Sequence, residues 1–431
     1  MPDTLGAWLD YVERLHHRPV DMGLDRVRAV AARMGLVLPA VRFVVGGTNG
    51  KGSTCAMLEA ILGAAGYRVG RYQSPHLLQF NERARIDGAA ASDAALVAQF
   101  ERVEAARAAT TLTYFEFTTL AVLAWFAQER VDVAVLEVGL GGRLDAVNII
   151  DADCAIVTTI GLDHMDLLGP TREHIGAEKA HIYRAGRPAI CADPDPPAAL
   201  IEYAEQIGAQ LWCIGKDFAV EPLTGAEGRR QWVYRGRSSA RMALAWPALR
   251  GAHQLRNAAG ALAALEAMRE RLPVDQHAIR TGLARVQLAG RFQVIPGQPS
   301  IILDVAHNAH AAQALAVALR AHAASGERTG RTHAVFGMLR DKDAPAVVAA
   351  LAGAIDYWHL VPTEGARSRT AKELDATAFD LAANVQRSHH RCVAEALAAA
   401  RMQAGPDDRI IVFGSFGIVA DALRWLERGS Q

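Results

Sequence analysis

The residues best suited to chemistry stand together in one run, Gly46-Gly47-Thr48-Asn49-Gly50-Lys51-Gly52-Ser53-Thr54. Glycines let backbone N–H groups approach an anion. Lys51 adds a full positive charge for terminal phosphates, and Ser53 or Thr54 can reach Mg2+. The run departs from the common phosphate-loop spacing. Three residues separate Gly46 from Gly50, and Gly52 stands between Lys51 and the hydroxyls. An apolar run at 41–46 precedes it and a helical pattern follows from Lys51, so a helix N-terminus would add partial positive charge to the same spot.

Further groups fall where such a loop would need them. Glu137 ends the apolar run Val131–Leu136, and Gly161-Leu162-Asp163-His164 ends the run 152–160. In open α/β sheets, ligands gather outside the carboxyl ends of the strands. An acid there typically binds the magnesium of a nucleotide. His164 is either a further ligand or a loop histidine. Gly139-Leu140-Gly141-Gly142-Arg143-Leu144-Asp145 is a flexible turn carrying one base and one acid. Leu112-Thr113-Tyr114-Phe115-Glu116-Phe117 brings aromatics to a helix start, which by itself reads as core packing. Lys179, on a helix, reads by itself as a solvated or paired charge. Asp304-Val305-Ala306-His307-Asn308-Ala309-His310 crowds polar groups at another strand end, where Asn308 can also cap the next helix.

The elements that must position these residues alternate along the chain. Strands are expected at 41–46, 69–73, 131–138, 152–160, 188–192 and 210–214. Helices are expected at 51–65, 93–109, 114–128 and 171–183, antiparallel structure at 217–247, and an Ala-rich helix at 253–270. After Gly290, Pro296, Gly297 and Pro299 the alternation restarts. Strands then read at 300–305, 332–337, 355–361 and 409–413, and helices at 309–323, 344–353, 371–383, 393–403 and 416–427. This is an α/β chain. The expected fold is an N-terminal P-loop-type, doubly wound, mostly parallel sheet domain over 1–288, a hinge at 289–299, and a smaller Rossmann-like α/β domain over 300–431. Two such domains imply a ligand cleft.

The bulk properties exclude several classes. With 431 residues the chain is long for one core. Lys plus Arg and Asp plus Glu are 46 each, so no net charge points to nucleic acid or an anionic membrane. The five cysteines form no C-x-x-C pair, against a zinc ribbon or redox motif, and read as reduced cytoplasmic thiols. Met1-Pro2-Asp3-Thr4-Leu5 does not begin a signal peptide, and no apolar stretch is long enough for a membrane span. A monomer is the expected state.

In this order the motifs resemble the folylpolyglutamate synthase family within the Mur ligase superfamily. The matching stretches are GGTNGKGST (46–54), YQSPHL (72–77), FNERARI (80–86), LTYFEF (112–117), LEVGLGGRLDAVNI (136–149), TTIGLDHMDLLG (158–169), EKA (178–180), GRFQ (290–293), DVAHN (304–308), GMLRDKD (337–343) and GSFG (414–417). The resemblance covers nearly the whole chain. It implies an ATP-dependent ligase that activates a carboxylate as an acyl phosphate and joins it to L-glutamate. The YFEF segment resembles the bifunctional bacterial members, which add glutamate to dihydropteroate and then extend reduced folates.

Carried over by position, the resemblance implies that Thr48, Asn49, Gly50, Lys51, Gly52, Ser53 and Thr54 hold ATP phosphates. Ser74, Glu137 and His164, with Ser53, would hold Mg2+, as two ions. Lys179 would be a carbamylated lysine. Asn257, Arg291 and Asp304 would touch ATP. In the reaction this implies, His307 is the candidate to orient glutamate or take its proton. Thr113, Phe115, Asp145 and Ala146 would form the pterin pocket. His181 departs from the pattern, standing where a glycine is expected, and Gly417 stands where some relatives carry histidine. A folylpolyglutamate synthase with one activity, another Mur-type amino-acid ligase, and a P-loop kinase or ATPase are the alternatives.

Overall fold

The computed structural model describes residues 2–224, 230–324, 330–379 and 385–429. The chain divides into two compact units, Met1–Ala248 with Leu255–Val286, and Gln287–Gln431 with Leu249–Gln254.

The first unit is built on an eight-stranded sheet. Its strands are β1 (Val41–Gly46), β2 (Val69–Tyr72), β3 (Ala84–Ile86), β4 (Ala89–Ala90), β5 (Val133–Glu137), β6 (Cys154–Val157), β7 (Pro188–Cys191) and β8 (Gln210–Cys213). Their order is β4-β3-β2-β5-β1-β6-β7-β8. The six strands from β2 to β8 in that order run parallel, and β3 and β4 are antiparallel additions at one edge. β1 lies between β5 and β6: the connection after β1 runs to the β2 side, and the one after β5 crosses to β6 on the other side. That is the switch point at which open α/β sheets leave a crevice.

Burial explains the apolar strands. Every residue of β5, β6 and β2 is buried, as parallel strands covered on both faces require. The Lys51–Ala64 helix follows β1 directly and buries Cys55, Met57, Leu58, Ile61 and Leu62. Helix Gln276–Arg285, absent from the sequence reading, packs on it so closely that a Cβ on Gly282 would meet the Ile61 backbone at 2.5 Å. Helix Tyr114–Gln128 starts with a capping box in which Thr113 and Glu116 bond each other's backbone N–H groups. Two N-terminal helices, Leu5–Glu13 and Asp25–Arg33, complete this core.

Several strand ends lie inside the expected ranges. The run 152–160 pairs only as Cys154–Val157, because Thr158 and Thr159 turn their hydroxyls to the Asn49 carbonyl (2.7 and 3.0 Å). The antiparallel expectation for 217–247 is met by β9 (Ala219–Thr224), β10 (Arg230–Arg235) and β11 (Ala240–Ala245), with 225–229 outside the described residues.

In the second unit the order is β12-β13-β17-β14-β15-β16. The strands are β12 (Gln293–Ile295), β13 (Ser300–Leu303), β14 (Thr332–Phe336), β15 (Tyr357–Leu360), β16 (Gln386–His389) and β17 (Arg409–Phe413). All pair in parallel except β12, which runs antiparallel to β13. The 289–299 stretch was expected to be a hinge, yet its centre is this edge strand, and its ladder to β13 makes it part of the second sheet. The turn-forming glycines and prolines around it masked a three-residue strand. The helix expected at 371–383 is described as Ala371–Ala378, and 380–383 lie outside the described residues. Among the described residues no helix is long and apolar enough to cross a membrane.

Candidate active site

The phosphate loop leaves β1 at Gly46 and enters its helix at Lys51. Gly50 is the N-cap in the left-handed region (φ +94°) and supplies no side-chain cap. A Cβ on Gly50 would press on the Asn257 amide, which places Asn257 against this loop. Gly47 also has positive φ (+136°), and a Cβ there would overlap the Thr158 hydroxyl. Only glycine meets both demands, since L side chains rarely adopt that backbone. Thr48 anchors the loop to the end of β6. Its N–H donates to the Thr159 carbonyl (2.6 Å), and its hydroxyl donates to the Gly161 carbonyl (3.1 Å) and accepts from the Gly161 N–H (3.0 Å).

Two lysines converge on this loop. Lys51 Nζ donates to the carbonyls of Gly47 (2.9 Å) and Thr48 (3.2 Å). Lys179 Nζ donates to the same Gly47 carbonyl at 3.1 Å. Lys179 is not the solvated charge that a lone helical lysine suggests, because it is only 4% exposed. Gly142 allows this: a Cβ there would strike the Lys179 backbone, so the glycine turn lies flat on helix Arg172–Ala180. Burial, reinforced by the charge of Lys51, pushes the Lys179 amine down to about 7.

Glu137 ends β5 in register with Val45 of β1 and is buried. Its Oε2 lies 3.6 Å from where a Gly52 Cβ would be, and the Gln73 amide lies 2.9 Å from that point. The missing side chain of Gly52 therefore leaves a cradle between the loop, a carboxylate and the strand end that leads to Ser74. Of the atoms around this cradle, the Glu137 carboxylate is the hard oxygen donor of the kind that suits Mg2+. His164 is reached through the loop after β6, sits in the left-handed region (φ 51°), and starts helix Met165–Leu168. Among the described residues, no group of three or more His, Cys, Asp or Glu is arranged to hold a metal.

The second cluster lies at the start of helix Tyr114–Gln128. Phe115 stacks near Tyr72 (centroids 6.1 Å, 26°) and lies over Gly139, where a Cβ would meet its ring at 2.6 Å. Asp145 caps the short helix Ala146–Ile149, with Oδ1 accepting from Val147 N–H (2.9 Å) and Oδ2 from Leu140 N–H (2.8 Å). Burial pushes its carboxyl up to about 6, against those two bonds. Thr113 and Ala146 are buried beside these groups. Core packing, favoured for LTYFEF from its composition, holds for Phe117, while Phe115 is only half buried.

In the second unit, Asp304 follows β13. It accepts from the N–H groups of Phe292 (2.9 Å) and Ala306 (2.8 Å), and burial raises its carboxyl despite Arg291 nearby. Phe416 sits between two expected site residues, with the Arg291 guanidinium over its ring at 5.4 Å and the His307 ring 6.2 Å away. His307 Nδ1 is 2.8 Å from the Val305 carbonyl. A carbonyl only accepts, so Nδ1 carries a proton. Asn308 caps helix Ala309–Ala324 through Ala311 N–H (2.9 Å).

Residues 45–265 match the Mur ligase middle domain, and residues 290–416 match the Mur ligase glutamate ligase domain. A dihydrofolate synthase/folylpolyglutamate synthase from Escherichia coli (strain K12) is 43% identical over 429 residues, 98% of this chain and 96% of the relative. The chain belongs to this family of Mur ligases. A solved structure of E. coli FolC with DHPP and ADP covers 100% of both chains at 42% identity and TM-score 0.93. A bifunctional folylpolyglutamate synthase/dihydrofolate synthase with Mn, AMPPNP and L-glutamate bound is 42% identical. It covers 99% of this chain and 98% of its own, with TM-score 0.88.

The Mur ligase fold accommodates both departures. His181 ends its helix by bonding the Ala177 carbonyl (2.7 Å) and stacking on Tyr203 (4.1 Å), so no glycine is needed to turn the chain. Gly417 follows Phe416, whose ring carries the contact to Arg291 and His307. The sequence reading missed Asp193, just beyond β7. Its carboxylate accepts the Ile160 N–H at 2.6 Å and so holds the start of the loop that leads to His164. An acid beyond the carboxyl end of a strand was the signal available for it.

Proposed function

We propose that this ligase adds L-glutamate to dihydropteroate and to the γ-carboxylate of reduced folates, in each case through an acyl phosphate made from ATP. One observation carries the reading: Lys51 and Lys179 both point at the Gly47 carbonyl, where the Lys51–Ala64 helix begins. The Lys51 ammonium and a helix N-terminus without a side-chain cap make a site for a polyanion, with Lys179 beside them. The neighbouring Phe115 and Asp145 would offer an aromatic wall and a carboxylate, which suits a flat amino-pyrimidine.

In the first step the substrate carboxylate attacks the γ-phosphorus and ADP leaves. Lys51 and the loop N–H groups stabilise charge on the phosphoryl oxygens. Magnesium bound at Ser53, Ser74, Glu137 and His164, as two ions, would neutralise phosphate charge and polarise the phosphoryl group. The glutamate amine then attacks the acyl carbon and phosphate departs. His307, with Nδ1–H held by the Val305 carbonyl, would orient glutamate or take its amine proton. Asn257, Arg291 and Asp304 would contact the nucleotide.

Carbamylation of Lys179 belongs to this reading. The reaction needs a neutral amine to attack CO2, with loss of a proton. A buried lysine near 7 supplies that form at neutral pH. The carbamate would set an anion beside Lys51 in place of a second cation.

Phosphate release from ATP and Mg2+ tests the function. Release that needs L-glutamate together with dihydropteroate establishes the first activity, and release with tetrahydrofolate establishes the second. Release independent of glutamate and pterin would overturn the proposal in favour of an ATPase.

A further inference from the structure

Two thiols outside the site face each other across the sheet. Cys191 ends β7 and Cys213 ends β8, and the two are register partners in parallel strands. Neighbouring strands lie about 4.8 Å apart, which falls within the Cα separations of about 4.4–6.8 Å that disulfides span. Register partners project from the same face. The two thiols are neighbours across the strand pair, and neither is in a disulfide. Their interaction holds the Cys213 thiol below its ordinary range, while the same interaction and burial push Cys191 up. Cys213 is partly exposed and Cys191 is buried. β8 is the sheet edge, so it has no further strand to hold it.

We propose that Cys191 and Cys213 form an oxidisable pair that closes a cross-strand disulfide when a hydroperoxide reaches Cys213, and that this bridge acts on the site through Asp193. The Cys213 thiolate attacks the peroxide oxygen, giving a sulfenic acid and releasing water from hydrogen peroxide. The Cys191 sulfur then attacks that sulfur, the S–O bond breaks, and a second water leaves. Two thiols and one peroxide give one disulfide and two waters.

The route to the site is short. Asp193 follows Cys191 by two residues and accepts the Ile160 N–H at 2.6 Å. Arg172 ties the same corner together, donating to the Ile160 carbonyl (3.0 Å) and pairing with Asp193 (3.5 Å). Arg172 also begins the helix that carries Lys179. Drawing the end of β7 toward β8 shifts the clamp on the loop that leads to His164.

The experiment uses the full chain and hydrogen peroxide. After oxidation, remaining thiols are alkylated with N-ethylmaleimide in denaturant and the unreduced digest is weighed. The expected result is the Cys191 peptide joined to the Cys213 peptide, two hydrogens lighter than their sum, and separated by dithiothreitol. Oxidation confined to the exposed Cys392, with Cys191 and Cys213 fully alkylated, would overturn the pair. For the coupling, Cys392→Ser is expected to lose activity several-fold on oxidation and recover with dithiothreitol. The double variant Cys213→Ser/Cys392→Ser is expected to keep its activity, and an equal loss there would overturn the route through Asp193. The peptide result does not depend on the ligase reading; only the activity arm does.

Discussion

Replacing Lys179 by methionine should stabilise the first unit at neutral pH. The side chain is 4% exposed, and burial brings its amine from the ordinary 10.5 to about 7. At ~1.36 kcal/mol per pH unit, that difference amounts to about 5 kcal/mol of unfavourable burial of the charged form. The sign follows from proton binding. Between about 7 and 10.5 the unfolded chain holds a proton on this lysine and the folded chain does not, so stability rises with pH across that window. Below about 7 both states are protonated and the full penalty is present. Methionine has nearly the same length and no charge. It forfeits one hydrogen bond to the Gly47 carbonyl, worth about 1 kcal/mol. That carbonyl still accepts from Lys51, so it is not left unpaired. The expected net gain at pH 7 is about 3–4 kcal/mol, shrinking by ~1.4 kcal/mol for each pH unit above 7.

Two compact units make a single global unfolding energy ill-defined. The assay is therefore native-state hydrogen exchange of amides in helix Arg172–Ala180, at pH 7 and pH 9, corrected for intrinsic rates. Buffers contain EDTA and no dissolved CO2, which keeps wild-type Lys179 a free amine. A Lys179→Met protein that is no better protected at pH 7 would refute the reasoning. So would a gain that does not shrink at pH 9.

Other perturbations separate the parts of the site. Lys51→Ala should abolish ATP-dependent turnover while circular dichroism stays that of the folded protein; unchanged turnover would remove Lys51 from the phosphate loop. Gly52→Ala fills the cradle beside Gln73 and Glu137, so nucleotide affinity in calorimetry should fall tenfold or more, about 1.4 kcal/mol, with no loss of helix. Gly139→Ala drives a methyl into the Phe115 ring and should raise KM for dihydropteroate while ATP affinity holds. Asp153, buried and bonded to Arg42 (2.8 Å) and Arg271 (2.7 Å), keeps its carboxyl at about 2 although burial opposes this. Asp153→Ala should destabilise by roughly 2–4 kcal/mol near neutral pH. The gap in amide-exchange protection of β6, which Asp153 precedes, should close as pH falls from about 4 toward 2, because the wild-type contribution is lost as that carboxylate protonates.

Strand and helix order could be read along most of the chain because buried parallel strands are unbroken apolar runs bounded by glycine. β6 shows that pattern, and β5 and β17 break it only at their ends, with Glu137 and Arg409. What escaped was structure held by partners distant in sequence. Strand β12 has three residues and gains its ladder only from β13. Helix Gln276–Arg285 is specified as much by the Ile61 backbone under Gly282 as by its own polar-rich sequence. The phosphate loop was legible because its chemistry is local. Lys179 was not legible by spacing alone, since nothing in EKA says that Gly142 will bury it.

That burial has an opposite counterpart in the same unit. It drives an amine down to about 7 at Lys179 and a carboxyl up to about 6 at Asp145. Each group therefore sits close to losing its charge at neutral pH, and each recovers stabilisation only from a partner. For Asp145 the partners within the chain are backbone N–H groups, those of Leu140 and Val147 among them, and under the proposed function a carboxylate could also take donors from a pterin edge. For Lys179 the partner is either an anion or conversion to one. Such sites are held at the expense of fold stability, so the stabilising Lys179→Met change should also be an inactivating one. A variant both more stable and fully active would separate Lys179 from the reaction and leave its burial a feature of packing alone.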